Sequence, residues 1–241
     1  MTKEQWEVLR AGLLAGMRPS LAQVKALAYA YERAIAHVCP VPLGDKAASS
    51  CDPTKIEWVR IPGGGVITDD NHATHVTHSF EMARTPVTQA QWRAVMGTNP
   101  SRWKGDDLPV ESVTWHEAAE FCKKIDARLP EELEWEYACR AGTSGDRYGE
   151  LDEIAWYAGN SGGQTHPVGQ KKPNAFGLFD TLGNVWEWTR TQKGSARVIR
   201  GGSWNVGADS VRAGNRGNGG FPGVSNFGLG FRPVRDCRGE R

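Results

Sequence analysis

The chain has 241 residues, with 29 Lys and Arg against 28 Asp and Glu. It is long enough to bury a core, and it carries no broad field that would draw nucleic acid or an anionic membrane. No apolar run approaches the roughly 20 residues of a membrane span, and the opening residues Met1–Glu7 have no secretory apolar stretch, which points to a cytoplasmic location. In chain order, Trp6, Leu9 and Leu13, then Leu21, Val24, Leu27, Tyr31 and Ile35, recur near the helical period on either side of Arg18-Pro19-Ser20, and predict two helices joined by a turn. Residues 40–55 are rich in turn formers and read as a linker, so residues 1–55 form a helical arm. This arm serves either for self-association and docking or as plain structure. Residues 56–241 form the main domain.

Short strands are predicted over 57–66 and 73–83. Thr88–Met96 and Thr114–Ala127 each have a capping Thr followed by an apolar face and predict helices. Pro130 opens a third helix, 131–141, closed by Gly142. Beyond it the chain is nearly all loop, with short strands near 185–189, 196–201 and 230–235. Ten Trp and 29 Gly suit a domain held by aromatic packing and turns. The five cysteines lack metal-type spacing and are expected to stay reduced, with Cys122 and Cys139 in helical segments as small buried hydrophobes.

The window 205–228 is the most unusual stretch. It contains no Lys, Glu, Gln, Met or Trp, whereas ordinary usage would place about five there. Every residue present can be written by a codon ending in C, and Gly, Val, Ser, Asp and Phe are each reached from the Asn codon AAC by changing its adenines. That is the trace expected of targeted diversification. The alternative is an ordinary Gly- and Asn-rich surface loop.

Several ordered motifs resemble one family. They are Pro86-Val87-Thr88 with Trp92, Val113-Thr114-Trp115, Arg128-Leu129-Pro130 with Glu134-Trp135-Glu136-Tyr137, Asn174-Ala175-Phe176-Gly177, Gly183-Asn184-Val185-Trp186-Glu187-Trp188, Arg200-Gly201-Gly202-Ser203-Trp204 and Gly230-Phe231-Arg232. Together, over about 56–236, they are similar to the formylglycine-generating enzyme (sulfatase-modifying factor) family. The resemblance implies an α+β, C-type-lectin-like fold with little regular secondary structure. It also implies that the cysteine pair of the oxidase members falls at Val206 and Val211, which cannot hold copper(I) as thiolates would. The family's iron enzymes use a His-rich N-terminal domain, yet residues 1–55 contain only His37. No copper, iron or catalysis is therefore expected, with a formylglycine-generating oxidase or a degenerate enzyme kept as the alternative.

Within that family, the chain most resembles the variable proteins of diversity-generating retroelements, found in bacteria and phages. That resemblance implies a variable region at about 197–235, held by Trp204, Arg212, Arg216 and Arg232. Its outward, ligand-binding positions are Val206, Gly207, Asp209, Ser210, Gly214, Asn215, Gly217, Asn218, Gly219, Gly220, Phe221, Val224, Ser225, Asn226 and Phe227. The expected partner is a protein, with Phe221 and Phe227 as anchors and no nucleic acid or membrane bound. One family calcium site is matched by the carboxylates of Asp180 and Glu187 with the carbonyls of Gly183 and Val185, a hard oxygen set suited to Ca²⁺. The competing reading has Glu187 accepting hydrogen bonds instead. Trp186 and Trp188 share one strand face and are expected in the core.

Overall fold

The computed structural model describes residues 55–69, 72–217 and 219–237. The helical hairpin and nearly all of the linker read from the sequence, and Asn218, lie outside the described residues.

Among the described residues, local signals set the three longer helices. Helix α1 (Gln89–Met96) begins at Thr88, whose hydroxyl accepts from the Gln91 amide while the Gln91 side chain accepts from the Thr88 amide. Helix α2 (Trp115–Lys124) repeats this reciprocal cap with Thr114 and Glu117, and α3 (Glu132–Arg140) starts at Glu131 with Glu134 in the returning position. Helix α3 ends at Ala141, in the left-handed region at φ 45°, one residue before the glycine that the sequence suggests as its stop. A fourth, single-turn helix, α4 (Leu151–Ile154), was not anticipated.

Among the described residues, eight short strands build three sheets. Strands β1 (Trp58–Ile61), β4 (Phe80–Ala83) and β8 (Val234–Asp236) form one, in the order β1-β4-β8. Strands β2 (Gly65–Asp69) and β3 (His72–Val76) form a hairpin. The third sheet places β5 (Trp186–Lys193) between β6 (Ala196–Arg200) and β7 (Leu229–Phe231), antiparallel to β6 and parallel to β7. Two strands expected as single are therefore double. The 73–83 segment breaks at residues 77–79, so that β3 turns to β2 while β4 joins β1. The 230–235 segment breaks at Arg232-Pro233, where the proline lacks the N–H to continue the ladder and its carbonyl instead accepts from Ala83 at 2.9 Å.

The interior is aromatic. Trp92 stacks on Phe121 at 5.5 Å, and Phe231 sets its edge against both, at 5.9 and 5.3 Å. Val87, Val110, Val113, Leu129 and Trp188 complete this cluster, and Trp186 packs against it, as the alternation of the Trp-Glu-Trp strand implies. The Trp188 indole N–H donates to the Val113 carbonyl at 3.0 Å. Because Phe231 lies in β7, the returning end of the C-terminal tail is part of the core itself.

Candidate ligand-binding face

The tail leaves β6 at Arg200 and re-enters the sheet at Gly230, and both residues pair with the same residue of β5, Glu187. The Glu187 side chain is fully buried. Its carboxylate accepts from the Trp135 indole at 2.6 Å and from Arg232 at 2.8 and 3.1 Å. Arg232 gives its remaining donors to the carbonyls of Ala83, Arg84 and Phe179 at 2.7–3.0 Å, so a buried charge is both paired and saturated.

A second set of ties runs from α3. Glu132 and Glu136 stand one turn apart on its surface. Glu136 bonds the buried Arg200 and, at 2.8 Å, Arg140, while Glu132 bonds Arg216. Arg200 also donates to the carbonyls of Ala213 at 2.6 Å and Gly214 at 3.1 Å. Burial pulls its guanidinium below the usual arginine range, and the two glutamates oppose that pull. Further along, Arg147 donates to the carbonyls of Val211 and Ala208 at 2.9 and 2.6 Å and so clamps the 3-10 turn Ala208–Ser210. Arg212 closes the same turn through the Asp209 carbonyl at 2.6 Å, and the Trp204 indole holds the Phe227 carbonyl at 3.1 Å.

Between these ties the backbone turns outward. Gly207, Asp209, Gly214, Phe221, Val224, Ser225, Asn226 and Phe227 are exposed, and Val206, Ser210, Asn215, Gly217, Gly219 and Gly220 are half-buried. None of the described positions read as variable is buried. The described large hydrophobic side chains that remain exposed are Leu133 at 37%, Phe227 at 39%, Val224 at 56% and Phe221 at 62%. Three of these four lie within seven residues of the tail, which is a concentrated apolar ridge rather than scattered exposure. Two half-buried glycines are hemmed in: a Cβ on Gly220 would come within 2.1 Å of the Trp188 ring, and one on Gly217 within 2.5 Å of Ile199. Rewriting at those two places requires the core to move.

The ridge continues onto residues outside the tail. Trp103 meets Trp204 edge-on at 4.8 Å and Phe227 at 6.1 Å, and the Arg102 guanidinium lies 5.0 Å from the Phe227 ring centre. Gln89 and Glu111 pin this loop. Gln89 donates to the Trp103 carbonyl at 2.8 Å, and the Glu111 carboxylate accepts from the Arg102 and Trp103 amides. Sequence reading missed Arg102, Trp103, Arg147 and Arg200 as parts of the site.

The positions implied for a cysteine pair are apolar in their surroundings as well as their identity. Val211 is fully buried with Trp135, Cys139 and Leu182, and Val206 packs on the same cluster. Burial pushes the neighbouring Cys139 thiol up to about 12, so it stays protonated.

The calcium set does not fit. Both Glu187 oxygens are engaged by Arg232 and Trp135, which puts a guanidinium where a metal ion would need to share that carboxylate. Asp180 spends Oδ2 on the Gly169 amide at 2.7 Å, and only its Oδ1 is without a partner. One open carboxylate oxygen beside backbone carbonyls falls short of a cage of about six to eight oxygens. Among the described residues no group of three or more His, Cys, Asp or Glu side chains converges on a metal position.

The sequence profile of the sulfatase-modifying factor enzyme 1-like domain matches residues 45–237. The chain belongs to that family. Among similar members, the chaperone protein LppX of Paenibacillus barcinonensis is 31% identical, over 67% of this chain and 84% of that protein. The inactive C-alpha-formylglycine-generating enzyme 2 of Bos taurus is 33% identical over 61% of the chain and 56% of its own length. The formylglycine-generating enzyme of Streptomyces coelicolor is 31% identical over 63% and 60%. The chain thus spans little more than half of each of these two formylglycine-generating relatives. Among solved structures, Treponema denticola variable protein 1 superposes with a TM-score of 0.70 at 29% identity, over 83% of this chain and all of that one. The fold of this sulfatase-modifying factor family member is therefore the α+β, C-type-lectin-like arrangement, close to a variable protein. No helix among the described residues is long and apolar enough to cross a membrane.

Proposed function

We propose that this family member is a non-enzymatic binding protein, and that its tail between β6 and β7 displays a diversified face to a protein ligand. The observation that carries this reading is the division of labour along the tail. The arginines and Phe231 that tie it down are bonded into the scaffold, while no described position read as variable is buried and three of its apolar side chains face solvent. A rewritten surface needs such a division, because side chains that do not support the backbone can be exchanged without unfolding it. The rewritten set is Val206, Gly207, Asp209, Ser210, Gly214, Asn215, Asn218, Gly219, Phe221, Val224, Ser225, Asn226 and Phe227, with Gly217 and Gly220 held by packing. The half-buried Val206 and buried Val211, and likeness to both an inactive formylglycine-generating protein and a variable protein, support a non-catalytic role. Reduced, buried Cys122 and Cys139 accord with a cytoplasmic setting.

Two measurements test this. Replacing Asp209, Phe221, Val224, Ser225, Asn226 and Phe227 together with other residues should leave the melting temperature within a few degrees and change which partner is bound; cooperative unfolding lost on that exchange would contradict it. Loading with copper(I) and assaying oxidation of a cysteine peptide should give no turnover, and turnover would establish the oxidase alternative. In the encoding DNA, a near-copy of the 197–235 segment that differs at adenines, beside a reverse transcriptase gene, is the expected source of the diversity.

A further inference from the structure

Arginines around the tail mostly meet carboxylates: Arg200 and Arg216 on α3, Arg212 on Asp146 and Arg232 on Glu187. Arg102 and Arg197 do not form an ion pair among the described residues. Each lies over aromatic rings instead. The Arg102 guanidinium is 5.1 Å from the Trp103 ring centre and 5.0 Å from that of Phe227, and Arg197 is 4.2 Å from that of Trp115. Both shelves are built into the scaffold, Trp103 through its amide to Glu111 at 3.3 Å and Trp115 through its indole N–H to the Thr189 carbonyl at 2.9 Å.

Their placement matters. Arg197 exchanges backbone hydrogen bonds with Gly220 at 2.9 and 3.0 Å, immediately before Phe221, and Arg102 touches Phe227. The two cations therefore bracket the exposed ridge from Phe221 to Phe227. Arg197 gives one Nη1 N–H to the Arg190 carbonyl at 2.6 Å, and the remaining in-plane donors of both stacked guanidinium groups are left for a carboxylate, which their planar shape suits better than a point charge would.

We propose that this face selects protein segments carrying two carboxylates on either side of an apolar stretch, the carboxylates going to Arg102 and Arg197 and the apolar stretch to the ridge between them. The inference rests on the binding role proposed above and adds the class of ligand. Two isolated cations around an apolar strip suit such a segment better than a nucleic acid, which would call for a continuous basic track on a chain whose formal net charge is only +1. Arg102, Trp103 and Trp115 lie outside the tail, and Arg197, at the first position of the 197–235 segment, is not among the positions read as rewritten, so rewritten copies would inherit this preference while the ridge sets individual specificity.

Random dodecapeptides displayed on phage, selected on the full chain and resynthesised, provide the probe. The selected peptides should carry Asp or Glu flanking apolar residues. By fluorescence anisotropy each of R102Q and R197Q should weaken them on the order of tenfold, the range of a charge-assisted hydrogen bond. R102K and R197K, which keep the charge and lose the fork, should recover only part of the binding. Melting temperatures should be unchanged for the Arg102 variants, whose side chain is exposed, and fall by no more than a few degrees for the Arg197 variants, whose half-buried side chain also holds the Arg190 carbonyl at 2.6 Å. Peptides without a carboxylate bias, or equally tight binding to the R102Q/R197Q double variant, overturn the inference and leave the binding face standing. Peptides indifferent to F221S/V224S, or no enrichment over bare matrix, overturn the binding face too. A thymidine dodecamer that binds more tightly than every selected peptide overturns the choice of protein carboxylates.

Discussion

Glu187 shows how much one side chain can hold. Its backbone lies opposite both ends of the tail, and its buried carboxylate neutralises Arg232 while receiving the Trp135 indole. Replacing it by Gln keeps the shape but leaves the guanidinium buried without a counter-charge, which is expected to cost about 3–5 kcal/mol in urea denaturation. A loss well under 1 kcal/mol would mean that Arg232 is neutralised elsewhere. Asp180 tests the opposite sign. Burial pushes its carboxyl up to about 6, against the pull of the Gly169 amide and Arg232 and with the help of Glu187. The folded protein therefore holds this proton more tightly than the unfolded chain, whose value is near 3.8. The stability this supplies is complete below about pH 4 and is lost as pH rises through about 6, a change of up to about 3 kcal/mol. Asp180→Asn suits the left-handed backbone at φ 51° and removes the titration. Its melting temperature should be flat across that window and exceed that of the parent at pH 7; a retained slope would assign the titration to another group.

At the scale of elements, β7 and the ridge make a contrast that mutagenesis can read. Phe231→Ala empties a site against the stacked Trp92 and Phe121 rings and should cost about 3–5 kcal/mol. Phe221→Ser, on a side chain 62% exposed, should change stability by no more than about 0.5 kcal/mol. Equal losses would show the ridge to be structural. Much of the element order was legible because its signals are local: Thr88 with Gln91 and Thr114 with Glu117 mark helix starts within four residues, and Trp186 and Trp188 declare a strand by alternation. The breaks were less legible. Nothing local at residues 77–79 says that β3 and β4 pair with different neighbours, since that choice is made by β1, β2 and β8 elsewhere in the chain. Arg200 was missed as a tie for the same reason, because its partners Glu132 and Glu136 are defined by the face of a distant helix. Trp103 and Phe227 likewise meet only through the fold. The calcium set was read from residue types that the family shares, and the structure gives Glu187 to Arg232 instead.

For the whole molecule, the placement of departure and return opposite one residue sets what the scaffold can tolerate. Arg200 and Gly230 flank Glu187 from the two neighbouring strands, so the mouth of the excursion is two strand spacings wide, roughly 10 Å, whatever the chain does beyond it. Length should then be nearly as free as composition. Inserting Gly-Ser after Gly223, which is exposed and where an added Cβ would meet nothing within 4 Å, should shift the melting temperature by only a few degrees; a shift as large as that of Phe231→Ala would show that the span resists growth. A platform with a mouth of constant width can vary its reach as well as its chemistry, letting one framework address shallow and recessed targets alike.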